Sequence, residues 1–326
     1  MEIFACRNIN EDVRIKSSSG GIFSVFAESI LKEKGIIYGV AMAEECYSAE
    51  YIRVTDPKEL GRLRGSKYLQ AKIGDTYKKV KQDLLDGKKV LFTGTGCQVN
   101  GLRGFLQNEY ENLICVDVIC HGTPSKALWK KYVLYQEKQY GKLQTVNFRC
   151  KDNSWTNFGM KENELYISKD NDVYMQMFLR NYSLRPSCYK CVAKKKKMAD
   201  ITIADFWGIE NIVPELDDGK GTSLMLVRTE KGEQFLDKIR DNIIIKKVKY
   251  EDAVKCNPSE YKSVEKPDLR ADFYTDMNSL SFEELAKKYA APRKVSLATR
   301  AKWKVKKIMK KLLMPILKKF KWGGAD

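Results

Sequence analysis

The chain has 326 residues, of which 43% are hydrophobic and 31% charged, with only 8 prolines; this composition suits a packed interior and argues against disorder. No run of about 18 apolar residues occurs, which excludes an ordinary transmembrane helix, and the acids Glu2, Glu11 and Asp12 near the start exclude a secretory leader. A net charge of +17 points to an anionic partner, while nine cysteines and a single histidine, His121, disfavour both a paired disulfide framework and a multi-histidine metal site.

Residues 20 to about 140 read as helices and strands in alternation. GGIFSVFAESILKEKG (20–35) places Ile22, Phe23, Phe26, Ile30 and Leu31 at helical spacing and ends at Gly35. IIYGVAMA (36–43) follows as a buried strand, and TYKKVKQDLLDGK (76–88) as an amphipathic helix. KVLFTGTGC (89–97) is a strand entering a Gly-rich turn, and NLICVDVIC (112–120) is a second strand that ends on a cysteine. The alternation predicts an α/β fold, a mixed sheet flanked by helices, with ligands gathered at the carboxyl ends of its strands.

From residue 141 the pattern is less regular and predicts an α+β portion. TVNFRCKD (145–152) reads as a strand, YMQMFLRNYSLRPSC (174–188) as a helix broken before Pro186, and MADITIADFWG (198–208) as a strand and turn. SLMLVRTEKGEQFLDKI (223–239) gives a strand and then a helix, and residues 262–285 carry few signals. The last segment, 295–322, has ten Lys or Arg and no acid, with Val305, Ile308, Met309, Leu312, Leu313, Ile316, Leu317 and Phe320 on one helical stripe. It predicts a C-terminal amphipathic helix that docks on an anionic membrane surface or on protein. Bases would want interleaved aromatic platforms, and none is evident, so no nucleic acid is expected.

Four cysteines stand apart. Cys188 and Cys191 form a C-x-x-C after Pro186, while Cys97 and Cys120 each end an apolar strand and open a loop of small or polar residues. Thiolates so placed can hold a metal centre. A structural zinc site usually pairs two C-x-x-C hooks; one hook with two dispersed thiols leans toward an iron–sulfur cluster, with zinc still open. Cys6, Cys46, Cys115, Cys150 and Cys256 read as packing. Ser17-Ser18-Ser19-Gly20-Gly21 precedes the first helix, either as a phosphate cradle or as an ordinary N-cap. Arg62, Arg64 and Lys67 offer cations for a pyrophosphate, and Tyr68 a stacking ring, or together they form a solvated basic loop. His121, beside Cys120, is a candidate for moving a proton or tuning a redox centre. Asp200 and Asp205 read as structural.

The stretches SSSGGIFS, LRGSKYLQ, VLFTGTGCQVNGLRGFL, VDVICHGTPSKALWKKY, RPSCYKC and ADITIADFWG, over roughly residues 12–265, resemble the coenzyme F-420 hydrogenase/dehydrogenase beta-subunit family. The resemblance implies an iron–sulfur flavoprotein oxidoreductase carrying one 4Fe-4S cluster and FAD, and exchanging a hydride with coenzyme F-420. It implies cluster ligation by Cys97, Cys120, Cys188 and Cys191. It implies cofactor binding by Ser18, Ser19, Gly20 and Gly21, with Gly65, Ser66 and Lys67 near the same cofactor. Residues 1–140 are then the flavin-binding portion, 141–290 the cluster-completing portion and 291–326 the basic tail. Gly96 stands where the family usually has proline, which predicts a more flexible turn.

Many relatives also carry an N-terminal ferredoxin-like module, of which this chain retains only Cys6. The implied partners are therefore a redox partner protein or a hydride-carrying cofactor. Relatives with the GSKY and CHG-x-PS wording are bacterial proteins linked to surface-polysaccharide biosynthesis, so the carrier and pathway stay open. A non-catalytic, zinc-stapled assembly protein of such a complex is the alternative reading. The expected location is the cytosol, with the tail at the inner membrane surface.

Overall fold

The computed structural model describes residues 1–290, which form one compact unit. The basic segment 295–322 lies outside the described residues. No helix among the described residues is long and apolar enough to cross a membrane.

The chain opens with strand β1 (Glu2–Asn8), a short helix α1 (Glu11–Ile15) and helix α2 (Ile22–Lys32). Helix α2 buries Ile22, Val25, Phe26 and Ile30, the three- and four-residue spacing of one helical face. Next come β2 (Ile36–Met42), β3 (Ala49–Val54), α3 (Leu60–Leu63), β4 (Ala71–Lys72) and α4 (Thr76–Leu85). Strand β5 (Val90–Thr95) runs straight into α5 (Gly96–Leu106), and β6 (Leu113–Val118) is followed by α6 (Lys126–Tyr140).

Beyond α6 the chain makes a small antiparallel sheet, β7 (Val146–Cys150), β8 (Gly159–Glu162) and β9 (Leu165–Ser168), and then α7 (Val173–Leu179). It returns with β10 (Ile201–Asp205), β11 (Ser223–Val227), α8 (Glu230–Ile239), β12 (Ile243–Lys247) and α9 (Tyr250–Val254). The described residues end with α10 (Arg270–Ser279) and α11 (Phe282–Tyr289).

The main sheet has nine strands in the order β12-β1-β11-β10-β6-β5-β2-β3-β4. Its centre, β10-β6-β5-β2, is parallel, and antiparallel strands extend both sides. This is the expected mixed sheet. The expected boundary near residue 140 falls at the end of α6, yet β10, β11 and β12 from beyond it lie in the same sheet as β1, β5 and β6. One face of the sheet packs on α2 and α8, where Phe26 meets Phe235 at 5.7 Å between ring centroids. The other face packs on α4 and α5 through Val80, Leu84, Phe92, Val99 and Leu102. A third core joins α6, α7, the small sheet, α10 and α11 around Trp129, Tyr132, Tyr174 and Phe273.

Two expectations are revised. The helix read over 174–188 ends at Leu179, because Asn181 adopts a left-handed conformation (φ 66°) and the chain continues extended to a 3-10 turn at Pro186–Lys190. The segment poor in signals, 262–285, holds α10 and the start of α11. Helix α10 buries only Phe273 and Met277 and so shows little periodicity, whereas Ser281 and Glu284 close a capping box on α11.

Candidate functional site

Register decides where the cysteines go. Thr95 of β5 pairs with Val118 of β6, so Cys97 and Cys120 each stand two residues past paired positions at the carboxyl edge of the parallel strands. The Gly-rich turn expected after β5 is instead the first turn of α5. Gln98 Oε1 accepts the Thr95 N–H at 2.8 Å, and a Cβ on Gly96 would stand 2.9 Å from Asp117 Oδ2 and 3.2 Å from Ala193 Cβ. Packing, and not the missing proline, fixes this turn. Ala193 follows Cys191, so the same contact brings the C-x-x-C segment against α5.

The second tie lies past Cys120. Residues 123–125 pair antiparallel with 183–185: Ser125 N–H donates to Ser183 O at 2.8 Å and Arg185 N–H to Thr123 O at 2.9 Å. That pairing delivers the 3-10 turn to the Cys120 loop, where Thr123 N–H donates to Cys188 Sγ at 3.4 Å. Lys194 adds its ammonium to Cys120 O and Ser259 O.

The Cys120 thiol is pushed up to about 12, first by burial; Lys194 opposes this, and the neighbouring thiols of Cys97, Cys188 and Cys191 add to it. All four cysteines therefore share one electrostatic neighbourhood, which grades from half-buried Cys120, Cys188 and Cys191 to exposed Cys97. Among the described residues, no three His, Cys, Asp or Glu side chains converge on a point to hold a single metal ion. The donor set is four thiols with amide, hydroxyl and ammonium donors around them, since Thr95 Oγ1 stands 3.2 Å from Cys97 Sγ. This chemistry fits an iron–sulfur cluster.

Of the other cysteines, Cys6, Cys46, Cys115 and Cys150 are buried, as packing residues should be. Cys256, expected with them, is exposed. His121 Nε2 meets Asn181 Oδ1 at 2.7 Å and its ring lies edge-on to Phe178, while burial lowers its pKa. Its imidazole is neutral at pH 7. Asp200 is structural: it binds Cys115 N–H at 2.8 Å, Thr229 Oγ1 at 2.9 Å and Arg103 Nη2 at 3.0 Å.

The serine–glycine stretch reaches the same edge from β1. Gly20 N–H donates to Ser223 Oγ at 3.0 Å, and a Cβ there would stand 2.7 Å from both Cys6 O and Ser223 N, so only glycine fits. Gly21, at φ 81°, is the N-cap residue of α2, and no side chain caps that helix. The serines are thus not N-caps; their hydroxyls bond elsewhere. Ser17 Oγ donates to Val13 O and Ser19 Oγ to Thr222 O, while Ser18 Oγ accepts Ser66 N–H at 2.9 Å. The two predicted cofactor stretches therefore touch.

Of the predicted cations, Arg64 stands at the first turn of α2, its Nε donating to Ser24 Oγ at 2.9 Å. Arg62 pairs with Glu59 at the surface. The Lys67 ammonium is taken by its own loop, donating to Arg62 O at 3.0 Å and Arg64 O at 2.8 Å, and burial lowers its pKa to about 7. Gly65 turns that loop at φ 80°. Tyr68 packs against Phe148 and Phe178.

Three residues of the small-sheet excursion reach the edge without having been singled out in the sequence. Lys151 Nζ binds Ser19 O at 2.7 Å, Lys220 O at 2.9 Å and Arg14 O at 3.0 Å, pinning the serine loop. Arg149 is buried and donates from Nη1 to Asp205 Oδ2 at 2.8 Å, with Phe158 under its guanidinium at 4.0 Å. Trp155 is buried and stacks on Trp207 at 5.1 Å. An arginine among apolar neighbours in NFRC was the available signal.

Fold and site together define an α/β protein with four clustered thiols and an uncapped helix N-terminus at one sheet edge. The chain belongs to the coenzyme F420 hydrogenase/dehydrogenase beta-subunit family. Two models described as "Coenzyme F420 hydrogenase/dehydrogenase, beta subunit" match it, the one for the N-terminal part over residues 3–76 and the one for the C-terminal part over residues 87–253.

The chain is similar to the coenzyme F420-dependent sulfite reductase of Methanocaldococcus jannaschii, with 22% identity over 227 residues. That match covers 68% of this chain and 34% of the relative, so the chain spans about a third of the relative's length. Its fold is similar to that of a chain in the F420-reducing NiFe hydrogenase complex from Methanosarcina barkeri. The TM-score is 0.55 at 15% identity, over 90% of this chain and 89% of the other.

Proposed function

We propose that the protein is an oxidoreductase, an iron–sulfur flavoprotein that passes electrons between a hydride carrier and a 4Fe-4S cluster by way of FAD. The family and its named relatives support coenzyme F-420 as the carrier. When bound, FAD supplies hydride chemistry and the cluster single-electron transfer. Cys97, Cys120, Cys188 and Cys191 hold the cluster. Ser18, Ser19, Gly20, Gly21, Gly65, Ser66 and Lys67 form the loops at the flavin, with the N-terminus of α2 and Arg64 favouring its pyrophosphate.

This chain's residues prepare the site before any electron moves. Lys151 fixes the serine loop through three carbonyls. Lys194 and Thr123 N–H place positive ends of dipoles and a cation beside the thiols, which favours the thiolate forms that ligation requires. His121, neutral and held by Asn181, keeps the Cys120 loop in place and retains Nδ1 as an acceptor. Cys97, the exposed thiol, marks the side at which a redox partner protein gains the shortest path.

The observation that carries the reading is the gathering of four cysteines from three separate segments at the sheet edge where the serine–glycine loop also ends. Anaerobic purification with iron, sulfide and flavin quantified tests it. Brown protein with one cluster and one flavin per chain supports it. Colourless protein with one zinc and no sulfide replaces it with the zinc-stapled assembly protein.

A further inference from the structure

We propose that Arg149 and Trp155 form the subsite that receives the acceptor edge of the flavin ring, the pyrimidine side bearing its carbonyl oxygens. The inference rests on the flavin reading above and adds to it residues from the small-sheet excursion.

The starting observation is a set of unpaired donors. Among the described residues, the buried side-chain nitrogens that lack a hydrogen-bond partner are Arg149 Nε, Arg149 Nη2 and Trp155 Nε1. The remaining unpaired buried atoms, on Asn100, Glu162 and Ser183, are oxygens. Every orphan nitrogen thus falls within seven residues of β7 and the loop that follows. A buried donor left without an acceptor costs more than an ordinary hydrogen bond contributes, so two such residues packed on the same Trp207 ring call for a ligand with acceptors. The guanidinium is cationic; Asp205 takes up Nη1 and the Tyr68 hydroxyl also lies close to it, yet neither gives Nε or Nη2 a hydrogen bond of good geometry. The missing partner therefore carries acceptors and tolerates or prefers negative charge.

The surroundings select a planar ring. Arg149 Cζ lies 4.0 Å from the Phe158 ring centroid and 5.2 Å from that of Trp207, and Trp207 stacks on Trp155 with 8° between planes. Donors held flat by aromatic faces suit the edge of a heterocycle. The position fits as well. A Cβ on Gly221 would meet Trp155 Cδ1 at 3.0 Å and Ser19 C at 3.1 Å, which puts the indole against the serine loop. Asp205 ends β10, beside β6, whose continuation carries Cys120: Ile119 N–H donates to Ile203 O at 3.1 Å. The orphan donors so lie between the serine loop and the cysteines, where the ring must sit to exchange electrons with a cluster. A guanidinium at this edge also favours the reduced ring, which carries its negative charge there.

The test uses the full chain, reconstituted anaerobically and titrated with FAD, comparing wild type with W155F, R149K and R149M. Trp155→Phe keeps the ring stack and removes only the N–H; a fall in FAD affinity of about fivefold is expected, the size of one hydrogen bond. Arg149→Met is expected to weaken the reduced form at least tenfold more than the oxidised form. That lowers the midpoint potential by about 30 mV for a two-electron couple. Arg149→Lys, which keeps the charge, is expected to lose affinity with a smaller potential change. If R149M fails to fold by circular dichroism, W155F and R149K decide. Wild-type affinity and potential in W155F and R149K overturn the subsite and leave the flavin reading intact. Wild type that binds no FAD overturns both.

Discussion

Ser66 donates its backbone N–H to Ser18 Oγ at 2.9 Å, and the two hydroxyls stand 3.1 Å apart. This contact joins loops 48 residues apart in sequence, one leading into α2 and the other leaving α3. Ser18 therefore acts as a hinge pin between the two stretches expected to hold a cofactor. Ser18→Ala removes the acceptor and leaves the Ser66 N–H half-exposed to water, a change worth about 1 kcal/mol. FAD affinity is expected to fall roughly fivefold while the melting temperature changes little. A fluorescence titration of flavin against both proteins measures it, and an unchanged affinity removes Ser18 from the cofactor site.

Gly96 occupies a position where proline would ordinarily be welcome, the first residue of a helix. Here Asp117 Oδ2 fills that space, 2.9 Å from where a Cβ would stand, while its Oδ1 accepts a hydrogen bond from Thr202 Oγ1. Gly96→Pro is expected to lose about 1–3 kcal/mol through overpacking. In an Asp117→Ala background the same substitution is expected to cost less than half as much, because the clash is gone. Urea unfolding of the four proteins in the cycle measures the coupling. Equal costs in both backgrounds would show that Asp117 does not decide the residue at 96.

How much of this could be read from the chain alone follows from the range of each interaction. Strands β2, β5 and β6 are short apolar runs, β2 opened by Gly35 and the other two running into Gly96 and Cys120, so both their existence and the loops carrying Cys97 and Cys120 were legible. Strand β1 was not. Its neighbours are β11 and β12, more than 200 residues away, and only that pairing turns a modest run, EIFACRN, into a buried strand. The same holds at the site. The cysteines and the serine–glycine stretch announce themselves by residue type and local spacing. Arg149 becomes a candidate site residue only through Phe158 and the Asp205–Trp207 stretch, which arrive from two other segments. Cys256 misled for a related reason: nothing local distinguishes a cysteine that packs from one left at the surface.

Asp172 makes stability depend on pH in a defined window. It caps α7 by accepting Met175 N–H at 2.7 Å and also accepts Tyr132 Oη–H at 2.7 Å, wholly buried beneath the third core. Burial pushes its carboxyl up to about 7, with those two hydrogen bonds working against the rise. In the unfolded chain the proton leaves at about pH 4. Between about 4 and 7 the folded protein therefore binds more protons than the unfolded one, and stability falls as pH rises. The loss attributable to Asp172 is roughly 2–4 kcal/mol over that range. Asp172→Asn keeps a capping side chain and removes the titration, so its stability curve is expected to be flatter across the same window. Parallel curves for the two proteins in urea unfolding at pH 4.5, 5.5 and 6.5, values chosen to span about 4 to 7, would place the titration elsewhere.

The cysteines carry the sharpest prediction because the structure supplies a control. Cys120 is one of the three half-buried members of the four, its thiol raised first by burial and then by the other three, and Cys97 is the exposed one. In the proposed cluster that thiol would become a thiolate beside iron, so removing any one ligand should lower iron and sulfide together and bleach the visible absorbance. Cys120→Ser is expected to be the most severe, since a serine hydroxyl ligates poorly and the desolvation that raises this thiol keeps water from taking its place. Cys97→Ser, at the solvent edge where water or serine can substitute, is expected to retain part of its iron. Cys256→Ser removes another exposed cysteine and is expected to match wild type in iron, sulfide and colour. Iron and sulfide assays on anaerobically purified proteins read out all of these. Wild-type iron in both C120S and C188S would mean that the four thiols are not the ligands, however closely the fold gathers them.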